Sequence, residues 1–156
     1  MAHEYRATIV WRREGDAGEF AKGRYSRAHE WRFDGGVTVP ASSSPSVVPL
    51  PFSREDALDP EEAFVASLSS CHMLTFIDLA RRAGIVVNSY EDEAVGQMER
   101  IAPQRMAITK VTLRPRIAFE GTPPDRAKLD ELHHQAHELC FIANSVKTEI
   151  AVEPIP

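Results

Sequence analysis

The sequence predicts a protein of the α+β class. Stretches with the alternating apolar and polar pattern of β-strands surround one long apolar helix, and a second helix follows later in the chain. Strands and helices do not alternate regularly, as they would in a parallel α/β fold. The length of 156 residues suits a single domain, residues 1–156, or one half of an intertwined dimer.

The first third of the chain is predicted to be mostly β-structure. The predicted elements are a strand over 3–12, a turn over 13–19, a strand over 20–33 and a return strand over 37–39. Asp34, Gly35 and Gly36 form a hairpin signal between the last two. The loop over 40–58 is rich in Pro and Ser, and its length indicates a functional segment or one packed on a partner.

The clearest predicted element is a helix over about residues 60–83. Asp59 is a good N-cap, Pro60 suits the first helical position, and Gly84 is a natural C-terminal cap. Apolar side chains cover most of the helix surface, so we expect it to be buried. In so short a chain, a second copy is expected to provide part of the cover.

The second half is predicted to contain strands, a helix and a final strand. The predicted elements are antiparallel strands over 85–100 and 106–119, a helix over 124–139, a short element over 140–145 and a strand over 146–153. Thr122 is the expected cap of the second helix.

Composition and charge exclude several classes of function. The formal net charge is −5, and no stretch combines clustered Lys and Arg with aromatic residues, so we expect no nucleic-acid partner. No apolar run approaches the roughly 20 residues of a membrane span. The first ten residues lack the apolar core of a signal peptide, and we therefore expect a cytoplasmic protein.

The two cysteines, Cys71 and Cys140, are the first candidates for chemistry. A cytoplasmic cysteine pair is more often catalytic, redox-sensing or metal-binding than a structural disulfide. The pair forms no C-x-x-C motif. A buried core cysteine is the plain alternative for Cys71. The polar side chains around it in the predicted helix favour chemistry instead; they are Ser67, Ser69, Ser70, His72 and Thr75.

A reactive Cys71 has to be a thiolate, which requires a positive charge or hydrogen-bond donors nearby. An arginine from the early strands is the better candidate, because it is always charged and presents several donors. Arg24, Arg27 and Arg32 are available there, and His72, next to Cys71 in the sequence, is the other candidate. Glu61 precedes Cys71 by ten residues, about 15 Å along a helix, so it can act only through a long side chain or across a dimer interface.

A histidine cluster supports a second interpretation. His133, His134 and His137 precede Cys140 at helical spacings, and with Cys71 and His72 they offer nitrogen and sulfur ligands for zinc or iron. No H-E-x-x-H or C-x-x-C signature accompanies them. The simpler interpretation is a hydrogen-bonded, partly buried histidine near the second cysteine.

The helix start around Asp59-Pro60-Glu61-Glu62, followed by Ser69-Ser70-Cys71-His72, resembles the osmotically inducible protein / organic hydroperoxide resistance (OsmC/Ohr) family. The segment from Cys140 through Ser145 into a last strand resembles the family's resolving-cysteine segment. The resemblance implies antiparallel curved sheets wrapped around long central helices in an intertwined homodimer. Phe141 stands where the family usually has Pro, which indicates a divergent OsmC-like branch.

The resemblance also implies an activity. Cys71 would reduce organic hydroperoxides, Cys140 would resolve the product as a disulfide, and an external lipoyl-type or small-thiol reductant would restore both thiols. Glu61 would orient an activating arginine, with Arg27 as first choice and Arg24 as reserve. No cofactor is implied. The alternatives are a metal- or ligand-binding protein that uses the 133–137 histidines with Cys140, and a structural dimer with inert cysteines.

Overall fold

The computed structural model describes residues 2–156 and divides into two compact units, one ending at Ala63 and the other spanning Phe64–Pro156. The elements are β1 (Ala7–Val10), α1 (Ala17–Ala21), β2 (His29–Phe33), β3 (Thr38–Ala41), α2 (Pro60–Arg82), β4 (Val87–Asp92), β5 (Val95–Ala102), β6 (Arg105–Leu113), β7 (Pro115–Phe119), α3 (Arg126–Leu139), a 3-10 helix (Ala143–Ser145) and β8 (Glu149–Val152). A division of this kind can separate two parts of one domain or two different domains. The single domain over 1–156 therefore stays a prediction.

The first unit contains a three-stranded antiparallel sheet in the order β1-β2-β3. The predicted hairpin between β2 and β3 is confirmed. Gly36 adopts φ = 87°, which is the left-handed conformation that such a turn requires and that glycine adopts without strain. The loop that follows β3 is irregular up to Asp59, as expected.

The predicted turn over 13–19 and strand over 20–33 are wrong in part, because helix α1 lies across their boundary. The Asp16 side chain accepts hydrogen bonds from the backbone N–H groups of Gly18 and Glu19, which caps this short helix. Only the last five residues of the predicted strand form β2. Arg27 therefore lies before the strand rather than on it.

Helix α2 confirms the clearest prediction, including both ends. Asp59 accepts a hydrogen bond from the Glu62 N–H at 2.7 Å, and the Glu62 carboxylate accepts from the Asp59 N–H at 3.2 Å. This reciprocal arrangement is a capping box. At the other end Gly84 has φ = 75°, and the Ile85 N–H donates to the Ala80 carbonyl.

Burial on α2 is narrower than predicted. The buried side chains form one stripe at intervals of four residues: Leu68, His72, Phe76 and Ala80. The rest of the helix surface is half-buried or exposed. Its length and apolar composition would allow α2 to span a membrane, contrary to expectation. A core helix of a soluble protein passes the same test.

The two predicted strands after α2 are each divided in two. β4 pairs with β7, and β5 pairs with β6, both antiparallel as expected. The division follows from Asp92, whose carboxylate accepts hydrogen bonds from the Arg114 N–H and from the Ser69 hydroxyl. β8 joins β6 in parallel, so the sheets are not wholly antiparallel.

Helix α3 begins three or four residues after the expected Thr122 cap. Asp125 is the N-cap instead, and it accepts a hydrogen bond from the Lys128 N–H at 2.8 Å. The helix ends at Cys140, its C-cap, and the 3-10 helix follows. The core of the second unit has two parts. One gathers around Phe76 and Leu132, and the other around Leu68 and Leu113.

Candidate active site

The second unit brings the two cysteines together at the junction of α2 and α3. Cys71 lies in the middle of α2 and is half-buried, whereas Cys140 ends α3 and is fully buried. Both thiols are free. The backbone N–H of Ala143 donates to the Cys140 sulfur at 3.4 Å, which holds that side chain against the start of the 3-10 helix.

The environment of Cys140 favours the protonated thiol. Burial raises its pKa, and the nearby Cys71 thiol raises it further, to about 11. The Ala143 N–H acts in the opposite direction but does not offset the burial. At neutral pH Cys140 is therefore a neutral thiol close to Cys71.

A buried pair of histidines joins the two helices that carry the cysteines. His72 Nε2 and His133 Nδ1 are 3.1 Å apart, and the two rings are nearly parallel, at 8°. Phe76 stacks on His133 with 4.4 Å between ring centroids. Burial lowers the pKa of each histidine to about 4, with the neighbouring His133 and His137 lowering that of His72 further. The pair is neutral at pH 7.

The histidine cluster predicted near Cys140 is divided by the fold. His133 is buried and hydrogen-bonded as expected, His134 is exposed, and the Nδ1 atom of His137 is buried without a hydrogen-bond partner. Within residues 2–156, no group of three or more His, Cys, Asp or Glu side chains is arranged to hold a metal ion. The zinc or iron interpretation therefore gains no support from the geometry.

Arg27 and Glu61 both line a cavity of about 350 Å³ in the first unit. Its walls are mostly apolar and aromatic, and Trp11 and Tyr25 contribute to them. The Trp11, Phe20 and Tyr25 rings pack together at centroid distances of 4.7 to 6.1 Å, so helix α1 supports this wall. The two residues predicted to act together thus share one cavity.

The guanidinium group of Arg27 is held by its own loop. It donates hydrogen bonds to the backbone carbonyls of Gly23 and Tyr25, and it lies 3.6 Å from the centroid of the Tyr25 ring. Arg24 instead forms an exposed ion pair with Glu19. Within residues 2–156, neither arginine is ion-paired with Glu61.

The sequence did not predict the contacts of two histidines, His72 and His29. His72 pairs with His133, which is far away in the sequence. A signal was present, because His72 shares the four-residue spacing of the buried stripe on α2. The second is His29, whose Nδ1 donates to the Arg27 carbonyl and whose Nε2 accepts from the Trp31 indole at 3.0 Å. Its position in an aromatic stretch was the available signal.

Comparisons with known proteins agree on one fold. An OsmC-like protein of unknown function from Vibrio cholerae is 50% identical, with a TM-score of 0.93, over 99% of this chain and 100% of that chain. An organic hydroperoxide resistance protein OsmC from Legionella pneumophila is 16% identical, with a TM-score of 0.67, over 98% of this chain and 97% of that one. The organic hydroperoxide resistance protein OhrB of Bacillus subtilis is 18% identical, with a TM-score of 0.63, over 97% and 98%.

The family itself is identified by a sequence model. Residues 53–154 match the model of the OsmC-like proteins, which covers more than half of the chain. No curated protein matches the chain. The predicted α+β class and OsmC-like fold are confirmed by the structure and by its similarity to the solved structures. This chain is a member of the OsmC-like protein family.

Proposed function

We propose that this protein is a cysteine-based peroxidase that reduces organic hydroperoxides, with Cys71 as the attacking thiol and Cys140 as the resolving thiol. The observation that carries the proposal is the pair of free thiols of unequal burial, which lie near enough for Cys71 to raise the pKa of Cys140. Two structural neighbours that share the fold are named organic hydroperoxide resistance proteins.

The difference in burial supports the assignment of roles. An attacking thiol has to meet its substrate and react as the thiolate. Cys71 is the more exposed of the two. Cys140 is fully buried and protonated at neutral pH, so it is a poor first nucleophile but a good hydrogen-bond donor to a Cys71 thiolate.

The proposed cycle balances with one external reductant. The Cys71 thiolate attacks the O–O bond, so that an S–O bond forms and the alkoxide leaves as an alcohol after taking up a proton. Cys140 then displaces the hydroxyl group of the sulfenic acid; an S–S bond forms and water leaves. A dithiol of the lipoyl type, or a small thiol, reduces the disulfide by exchange.

Arg27 and Glu61 are proposed as the activating pair. Their common cavity supports this choice, and Arg27 is preferred over Arg24 because Arg24 already pairs with Glu19. Among the described residues, the hydrogen bonds of this guanidinium go to neutral carbonyls, and no carboxylate there is ion-paired with it. Such a charge stabilises a thiolate and a departing alkoxide.

A homodimer in the cytoplasm is part of the proposal. Several large apolar side chains of the second unit are exposed, and a second copy would cover them: Leu74, Met98, Ile101, Leu139 and Phe141. The free cysteines fit a reducing compartment. Size measurement in solution, by sedimentation, tests the dimer directly.

The activity is tested by counting thiols before and after one equivalent of cumene hydroperoxide. We expect the wild type to lose both thiols and gain one disulfide. Cys140→Ser is expected to form a sulfenic acid that dimedone traps, and Cys71→Ser is expected to keep its single thiol. If the wild type retains both free thiols, the proposed activity is wrong.

A further inference from the structure

The buried histidine pair connects the two helices that carry the cysteines. His72 directly follows Cys71 on α2, and His133 precedes Cys140 by seven residues, or two turns of α3. Their hydrogen bond joins a side chain of α2 directly to a side chain of α3. The placement of one cysteine-bearing helix on the other thus includes a directional contact, about 10 Å along α3 from Cys140.

Burying this pair of polar rings costs more free energy than simple packing between two helices requires. Its neighbours in the same core are apolar, and they include Phe76, Leu132 and Ala136. Burying polar rings costs free energy that apolar residues of similar volume do not require. In addition, the His133 Nε2 atom is buried without a partner. What the pair supplies beyond packing is direction, because the distance and angle of a hydrogen bond restrict the rotation and the axial position of α3 on α2.

Disulfide formation is sensitive to those two quantities. The Cα atoms of a disulfide lie about 4.4 to 6.8 Å apart, and the bond has a narrow range of dihedral angles. A shift of α3 by one residue would move Cys140 by about 1.5 Å along the helix axis and turn it by about 100°. Cys140 is also the C-cap, directly after the last residue of its helix, and helices fray at their ends.

We propose that the His72–His133 hydrogen bond is a clamp that positions Cys140 for the resolving step, an inference that rests on the proposed function for its chemical consequence. In that step the Cys140 sulfur bonds to the Cys71 sulfur, the S–O bond of the sulfenic acid breaks, and the hydroxyl leaves as water with the thiol proton. The two histidines touch neither reacting atom in this account. They are positioning residues that act through the two helices.

The neutral state of the pair fits this role. One ring has to donate while the other accepts, and two positively charged rings would offer no acceptor. Burial keeps both rings neutral at pH 7. Asp130 and Asp92, which act on His133, and His137, which acts on His72, are the other titratable groups that influence the pair.

Two measurements separate the clamp from the peroxidase activity. The first is the equilibrium of the reduced protein with glutathione and its disulfide, which gives the effective concentration of one thiol relative to the other and needs no peroxide. The second is the reaction with cumene hydroperoxide, in which dimedone trapping reports sulfenic acid on Cys71 and thiol loss reports the disulfide.

The variants are chosen to remove or keep the hydrogen bond. His133→Leu removes it, whereas His133→Asn places an amide near the position of Nδ1 and can keep it. We expect His133→Leu to lower the effective concentration and the rate of disulfide formation by about tenfold or more, since small misplacements cost that much. Sulfenic acid formation is expected to stay unchanged. His133→Asn is expected to recover most of the loss, and His134→Leu, at an exposed neighbouring position, to behave as the wild type.

The proposal is overturned if His133→Leu and the wild type have the same effective concentration, or if His133→Asn is as impaired as His133→Leu. If His133→Leu does not fold, His133→Phe replaces it, because a flat ring can still stack on Phe76 but cannot form the bond. Absence of sulfenic acid in Cys140→Ser would refute the peroxidase activity alone, since the glutathione equilibrium of the protein with both cysteines still reports the clamp.

Discussion

Acidification is predicted to destabilise the junction of α2 and α3 through the buried histidines. His72 and His133 each have a pKa of about 4 in the folded protein, against 6.5 for an ordinary histidine. Burial is the largest cause for both. Between about pH 6.5 and pH 4, the two histidines therefore bind protons in the unfolded chain but stay neutral in the folded protein. The stability that the depressed pKa values contribute is fully present above about pH 6.5, and it is lost as the pH falls from 6.5 towards 4.

The expected loss in the free energy of unfolding follows from the difference in pKa between the folded and unfolded states. Each pKa unit corresponds to about 1.4 kcal/mol, so a shift of about 2.5 units amounts to about 3 kcal/mol for one histidine by pH 4. The two contributions do not add in full, because each histidine contributes to the surroundings of the other. A loss of this size is a large part of the stability of an ordinary domain.

Urea unfolding at fixed protein concentration, at pH 7 and at pH 4.5, measures this loss. The free energy of unfolding of the wild type should fall by about 2 to 3 kcal/mol more than that of His133→Asn over this interval. His134→Asn is the matched control, because its histidine is exposed, and it should lose as much as the wild type. Equal losses in the wild type and His133→Asn would refute the reasoning.

Three further predictions concern reactivity and packing. Cys140, with a pKa near 11, should react with iodoacetamide at pH 8 far more slowly than glutathione does, as followed by peptide mass spectrometry, and equal rates would contradict the burial argument. Phe76→Ala should lower the free energy of unfolding by about 3 to 5 kcal/mol in urea titrations, whereas Val86→Ala, at an exposed position outside the set proposed for the dimer, should change it little. Gly96→Ala should destabilise by about 1 to 3 kcal/mol, because the added Cβ would lie 2.6 Å from Val65 Cγ2. Adding Val65→Ala should restore part of that loss, and a purely additive double variant would argue against the clash.

Local signals in the sequence predicted α2 well. Asp59 and Glu62 cap one end and Gly84 the other, and each acts on backbone groups within a few residues. The hairpin at Gly36 was predictable for the same reason. Such contacts need no knowledge of the rest of the fold.

Local sequence patterns gave wrong secondary-structure predictions where a distant residue, or a competing helix cap, determined the structure. The alternation over 20–33 suggested a strand, but Asp16 caps a helix at its start. The strands after α2 looked continuous, but Asp92 binds Arg114 N–H and Ser69 across more than twenty residues and divides them. Alternation alone does not reveal these partners.

The class of fold, the helix that carries Cys71, and a short list of candidate side chains for a reactive site were all predictable from the sequence. The approach of Cys140 to Cys71, the effect of burial on the Cys140 pKa, and the pairing of His72 with His133 across two helices became visible in the folded protein. Caps and turns depend on neighbours along the chain, whereas the pKa of a thiol and the register of two helices depend on residues that packing alone brings together.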